Sequence, residues 1–90
     1  MGDYLDTLSE FVAETTYADL SHEAVSAVRD VILDTLGAIV AGSRLSENTA
    51  LAQRIAERSG PSMATIIGHD LKAEPMLATL VNATSGVALE

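Results

Sequence analysis

The stretch from residue 21 to residue 42, SHEAVSAVRDVILDTLGAIVAG, constrains the fold most, because it predicts one long helix with two different halves. In the first half, Val25, Val28 and Ile32 recur at helical spacing and charged residues occupy the opposite side, as on an amphipathic surface helix. The second half has no charged residue between Asp34 and Arg44. A helix end that is apolar on all sides has to be covered by neighbours on nearly every side.

The length and composition of the chain limit how many residues can cover this apolar helix end. Ninety residues fit one small domain, which buries a smaller share of its surface than a large domain does. Hydrophobic residues make up 48% of the chain, yet few of them are aromatic, so the core has to be built from Ala, Val, Leu and Ile. This residue set favours closely packed helices.

The charge balance excludes several classes of partner. Thirteen acidic residues against five basic ones give a net charge of −8, and neither nucleic acid nor an anionic membrane attracts such a surface. The absence of cysteine excludes disulfides and thiolate metal ligation by this chain. Neither a signal-like start nor an apolar run long enough to span a bilayer is visible, so the sequence predicts a cytoplasmic protein.

Three further helices and one strand are predicted from apolar periodicity and β-branched content. The helices cover residues 3–14, 46–59 and 75–90, and the strand covers residues 62–68. The fold class is therefore mainly α, with four helices and one short β segment, in a single partial domain over residues 1–90.

Local signals mark the ends of these helices. The predicted N-caps are Asp3, Ser21 and Ser46, and Pro75 takes the first position of the last helix. Gly42 is predicted to stop the long helix, and Gly37 to allow close packing within it. The residues expected to line one face of the last helix are Leu77, Leu80, Val81, Thr84 and Ala88.

Three features indicate a unit that is incomplete by itself. The long helix has an apolar end, and the strand has only a weak return strand at Leu71 and Lys72. The pattern of the last helix continues to Glu90 without a stop signal. Together they predict a piece of a larger unit, or a chain that completes itself by forming oligomers.

Most ionisable residues give no signal for a site. Asp30 and Asp34 share a helix face, and we expect Asp30 in solvent and Asp34 bonded to a neighbouring backbone group or hydroxyl. His22 and His69 have no second His or Cys nearby, so both are interpreted as surface or capping residues. No metal or cofactor is expected.

The last helix offers the one candidate site. Asn82, Gly86 and Glu90 fall four residues apart, which places an amide, a gap and a carboxylate on one side of a helix. Gly86 costs about 1 kcal/mol of helix stability relative to Ala, so its missing side chain should serve a purpose. Either another helix packs closely there, or a ligand occupies the space beside Asn82 and Glu90.

Four segments, taken in order, resemble the N-terminal part of the MmgE/PrpD family. They are FVAET at 11–15, VILDTLGAIVAGS at 31–43, ATIIG at 64–68 and LVNAT at 80–84. The resemblance covers nearly the whole chain, and the LDTLG run and the Val-Asn pair are its most specific parts. That family includes 2-methylcitrate dehydratase, cis-aconitate decarboxylase and iminodisuccinate epimerase.

The resemblance implies the first portion of a helical domain in a longer, homodimeric enzyme without a metal. Such enzymes remove a proton next to a carboxylate of a small di- or tricarboxylate. Glu90 takes the position of a pocket aspartate, which makes it the candidate catalytic residue, with Asn82 and Gly86 as candidate substrate-binding residues. Two departures stand beside them: Ala83 replaces the usual glycine, and Val87 replaces a histidine found in many members.

The sequence leaves two functions open. The chain is either the N-terminal fragment of such a lyase or isomerase, inactive by itself, or a non-catalytic helical module for self-association or partner binding. The five basic residues are scattered along the sequence, so they do not predict a site for an anionic substrate within residues 1–90.

Overall fold

The computed structural model describes residues 2–61 and 63–89, and it confirms the mainly α class. The elements are α1 (Gly2–Glu14), a 3-10 turn (Tyr17–Asp19), α2 (His22–Ser43), α3 (Ser46–Ser59), β1 (Ala64–Ile66), β2 (Leu71–Ala73) and α4 (Pro75–Val87). By its contacts the chain divides into two compact units, Met1–Asp30 and Val31–Glu90. That residues 1–90 form one partial domain stays a prediction.

The first unit contains α1, the 3-10 turn and the start of α2. Helix α1 has no buried residue. It begins at Gly2, so the prediction that Asp3 is an N-cap was wrong: Asp3 lies inside the first turn, and its carbonyl accepts the Thr7 hydroxyl at 2.8 Å. The Ser21 cap of α2 is confirmed, because its Oγ accepts the Ala24 amide at 3.1 Å.

In the second unit, α2 passes close to α4 at Gly42. The helix continues through Gly42 to Ser43, so the predicted stop at Gly42 was wrong. A Cβ at Gly42 would overlap the backbone carbonyl of Ser85 on α4, so glycine is needed for two helix backbones to touch. Among the residues that the structure describes, no such neighbour lies near Gly37, where close packing was expected.

The last carbonyls of α2 are satisfied by side chains from later elements. Asn48 donates through Nδ2 to the Gly42 carbonyl at 2.8 Å, and Thr49 donates through Oγ1 to the Ser43 carbonyl at 3.0 Å. Both donors lie in the first turn of α3, which is thereby fixed to the end of α2. Leu45 occupies the N-cap of α3 and its side chain accepts no bond, so the prediction of Ser46 as the cap was wrong.

The predicted strand has a partner after all. Strand β1 pairs antiparallel with β2, with Thr65 opposite Lys72, so the weak return strand is real and the strand is not isolated. The turn between them depends on Gly68, whose φ of +91° favours glycine and whose Cβ would overlap the Ser43 Oγ. The predicted segment began at Ser62, which lies outside the described residues.

The core of the second unit is small and lies between α3, the hairpin and α4. Its fully buried hydrophobic residues are Ala52, Ile66, Ala73, Ala78 and Val81. Helix α4 therefore buries Ala78, Val81 and Ser85, whereas Leu80, predicted on that face, is exposed. The helix ends at Val87 and not at Glu90, which lies outside the described residues. In the described ranges no helix has the length and apolar character that crossing a bilayer requires.

Candidate functional site

A groove of about 300 Å³ lies between α2 and α4 in the second unit. Four residues of α2 line it: Asp34, Thr35, Ala38 and Ile39. Four residues of α4 form the other wall: Asn82, Ala83, Gly86 and Val87. Each helix thus contributes two neighbouring residues from each of two successive turns, which is the helical surface that faces one partner.

Small residues create this groove. Ala38, Ala83 and Gly86 leave space on both walls, and Gly86 also lies close to Ile39. A Cβ added at Gly86 would come within 3.2 Å of the Ile39 Cγ1, a tight contact that would force the isoleucine to move. The sequence offered two alternatives for Gly86, close packing against another helix or open space beside it. In the structure both occur together.

Asn82 connects the groove to the hairpin. Its Oδ1 accepts the Ile67 amide at 2.9 Å, and its Nδ2 donates to the Thr65 carbonyl at 3.1 Å. Both ends of the carboxamide are therefore bonded to the backbone beside β1. One N–H and one lone pair of the amide remain for a ligand, and substrate binding by Asn82 and Gly86 stays a prediction.

The charge of the groove disfavours an anion. Among the described residues, Asp34 is the one charged residue that lines it, and no Lys, Arg or His does. A carboxylate ligand would meet the Asp34 carboxylate without a compensating cation, whereas an apolar or cationic group would fit. Asp34 is exposed, and no hydrogen bond to its side chain is present within residues 2–61 and 63–89, so the predicted bond to a neighbour was wrong.

The other ionisable candidates occupy structural or solvent positions. Asp30 is exposed, as expected, and His22 is the exposed first residue of α2. His69 lies in the hairpin turn with its Nε2 3.1 Å from the Ser43 carbonyl, which confirms the capping interpretation and requires a proton on Nε2. Within the described ranges, no three His, Cys, Asp or Glu side chains are grouped closely enough to hold a metal ion.

Glu90 was the predicted catalytic carboxylate, and it lies outside the described residues. The structure therefore brings together Asn82 and Gly86 but gives no position for the third member of the set. The catalytic role of Glu90 stays a prediction from the resemblance.

Sequence reasoning missed two carboxylates with defined partners. The Asp19 Oδ2 accepts the Thr16 amide at 2.8 Å and the Thr16 hydroxyl at 3.1 Å, and these bonds lower the pKa of Asp19, the backbone bond most. The Glu74 carboxylate caps α4 by accepting the Met76 and Leu77 amides. The spacing of Thr16 and Asp19 is a recognisable capping signal, and Glu74 directly precedes Pro75.

Comparison with known families decides the relationship of the chain. The model of the MmgE/PrpD N-terminal domain matches residues 6–90. The chain belongs to the MmgE/PrpD family. No curated protein and no solved structure matches it.

The groove lies where two of the segments that resemble the MmgE/PrpD family meet. Asp34 and Thr35 come from the LDTLG run, and Asn82 comes from the Val-Asn segment. Ala83 and Val87, where the resemblance led us to expect a glycine and a histidine, line the same groove. The most specific parts of the resemblance, and the differences from it, are thus concentrated in one place.

Proposed function

We propose that this chain supplies the N-terminal helical part of an MmgE/PrpD lyase or isomerase. The enzyme would act on a small di- or tricarboxylate by removing a proton next to a carboxylate. The match of the family model to residues 6–90 carries this proposal. The meeting of two family segments in the groove between α2 and α4 supports it.

The proposed reaction needs chemical groups from other parts of the enzyme as well as from this chain. Proton removal next to a carboxylate needs a positioned base and cations that stabilise the negative charge of the transition state. Within residues 2–61 and 63–89, the groove is lined by Asp34 and by no cationic side chain. In the proposal the chain frames the pocket, with Asn82 and Gly86 in its wall and Glu90 as its carboxylate, and the 90-residue chain has no activity alone. A homodimer, a cytoplasmic location and chemistry without a metal belong to the same proposal.

Deuterium exchange tests the inactivity of the chain directly. The purified 90-residue chain is incubated in D₂O with 2-methylcitrate, cis-aconitate or iminodisuccinate, and proton NMR follows the hydrogens next to the carboxylates. We expect exchange no faster than in buffer, because base and cations are not assembled. Exchange above that of the buffer control would overturn the assignment of a purely framing role.

The reading frame downstream of the Glu90 codon tests the enzyme itself. We expect an acidic stretch with a His-Pro pair, followed by several hundred further codons, because the resemblance places the rest of the pocket there. An immediate stop codon would contradict the lyase or isomerase and favour the second candidate function.

That second candidate is a helical module for self-association, and the exposed apolar part of α2 favours it. Leu33 is 71% exposed, and Leu36 and Val40, which lie three and seven residues further along on the same face of the helix, are also exposed. Contiguous apolar surface of this kind is typical of an interface. Light scattering of the purified chain is the test: an oligomer across micromolar concentrations is expected, and a stable monomer would count against the module.

A further inference from the structure

Strand β1 has one edge that no strand covers within the part of the chain that the structure describes. The sheet has two strands there, so the edge of β1 opposite β2 carries backbone groups with no partner in the sheet. In an antiparallel pair, successive residues direct their N–H and C=O groups alternately to the partner and away from it. The Thr65 carbonyl and the Ile67 amide face away from β2, because both bond to the side chain of Asn82.

The Asn82 side chain takes the place of a neighbouring strand. A carboxamide has the same donor and acceptor groups as a peptide unit, and here the acceptor meets an amide while the donor meets a carbonyl. We propose that Asn82 occupies the outer backbone groups of β1 and thereby prevents this strand from pairing with β1 of a second copy of the chain.

The sequence of β1 explains why its outer edge needs protection from pairing with another strand. Its three residues, Ala64–Ile66, carry no charge, whereas β2 has Lys72 at its centre. Charged residues on an edge strand normally prevent edge-to-edge pairing, and uncharged segments rich in β-branched residues promote it. Thr65 is exposed, and the Asn82 side chain, on α4, bonds to the two backbone groups through which an incoming strand would pair.

This role does not depend on the proposed enzymatic function. It assigns the amide of Asn82 to the backbone of the same chain, where both bonds form without a ligand. It also differs from self-association through the apolar part of α2, because pairing through β1 adds intermolecular β structure.

Asn82→Ala is the primary test, compared with the wild-type chain at matched concentrations. Sedimentation velocity measures association, and the infrared amide I band measures intermolecular antiparallel β structure. We expect a several-fold rise in associated protein, with an intermolecular β band that grows with concentration. An unchanged β band would overturn the proposal, whatever the wild-type chain does through other surfaces.

Two further variants separate an opened edge from general loss of stability. Val81→Ala truncates the buried neighbour of Asn82 and destabilises the same helix, but it leaves the Asn82 side chain and its two hydrogen bonds in place. We expect no increase in intermolecular β structure from Val81→Ala. An increase equal to that of Asn82→Ala would contradict the proposed role of Asn82. Adding Thr65→Glu to Asn82→Ala places a charged residue in the edge strand β1, at the position that pairs with Lys72 of β2. This charge should return association to the wild-type level. Failure of this rescue would also overturn the proposal.

Discussion

The carboxylate of Asp19 gives the first unit a pH-dependent contact. The Thr16 backbone amide, and to a smaller extent its hydroxyl, stabilise the charged form and hold the pKa of Asp19 below its ordinary value of 3.8. Because the folded pKa is below the unfolded one, the contact contributes stability above pH 3.8. This contribution is lost as the pH falls through the lower, folded pKa.

We therefore predict that Asp19→Asn lowers stability near neutral pH and changes it little in strong acid. Asparagine can still accept the Thr16 amide, but it carries no charge and does not titrate. Circular dichroism melts of both chains from pH 7 to pH 2 measure the difference. Asp30→Asn is the matched control, because Asp30 is an exposed helical carboxylate. A gap between Asp19→Asn and wild type that stays constant down to pH 2 would contradict the prediction.

The two glycines of α2 should respond in opposite ways to the same substitution. Gly42→Ala places a Cβ on the Ser85 carbonyl, and the resulting overpacking should cost about 1–3 kcal/mol of unfolding free energy. Gly37→Ala meets open space and should gain about 0.5–1 kcal/mol, because alanine is the better helix former. Urea unfolding of both variants measures the signs, and a stabilised Gly42→Ala would refute the close backbone contact.

These glycines also show where prediction from sequence ends at the residue scale. Both lie in an apolar helical stretch, and sequence reasoning assigned the stop to Gly42 and the close packing to Gly37. The structure reverses the packing role because Gly42 faces Ser85, a residue on a helix much later in the chain. No local pattern contains that information. The candidate pair Asn82 and Gly86 came from spacing on one helix, whereas the bonds of Asn82 to β1 depend on tertiary structure.

At the scale of elements, the N-terminus of α4 depends on Glu74. Its carboxylate accepts the Met76 amide at 3.1 Å and the Leu77 amide at 3.3 Å, two of the groups that a helix start leaves without partners. Glu74→Ala should therefore cost about 0.5–2 kcal/mol. Glu74→Gln keeps an acceptor and should cost less. Urea unfolding measures both, with Glu57→Ala, an exposed carboxylate in the last turn of α3, as the control. Equal losses in Glu74→Ala and Glu57→Ala would contradict the cap.

Local signals account for which elements were predicted well. Ser21 and Pro75 mark helix starts within one residue, because caps and proline act on the backbone beside them. The buried face of α4 was predicted with Leu80, yet the small residues Ala78 and Ser85 face inward. The close approach of α2 at Gly42 explains the small residue at Ser85, whereas Leu80 is exposed. Helix periodicity alone does not reveal how near the neighbouring helix lies.

At the scale of the whole molecule, stability should differ strongly along the chain. Helix α1 has 13 residues and none is buried, and its apolar Leu5, Leu8 and Phe11 are exposed. Isolated helices of this length are marginal in water, since their stability normally comes from tertiary packing. Helix α4, in contrast, buries Ala78 and Val81 in the core of the second unit.

Amide hydrogen exchange should reveal this difference. We expect the amides of α1 to exchange at least about 100-fold faster than those of Val81 and Ser85, which corresponds to about 2.7 kcal/mol of opening free energy. NMR detection at two protein concentrations separates folding from association, because protection that arises from an interface falls on dilution. If the α1 amides are as protected as those of α4 and stay so on dilution, the stripe of Leu5, Leu8 and Phe11 is covered within a single chain. That result would contradict the prediction that α1 is an exposed and weakly stable helix. Protection of α1 that falls on dilution would instead identify this stripe as a surface for self-association, in agreement with the module and not with a free helix.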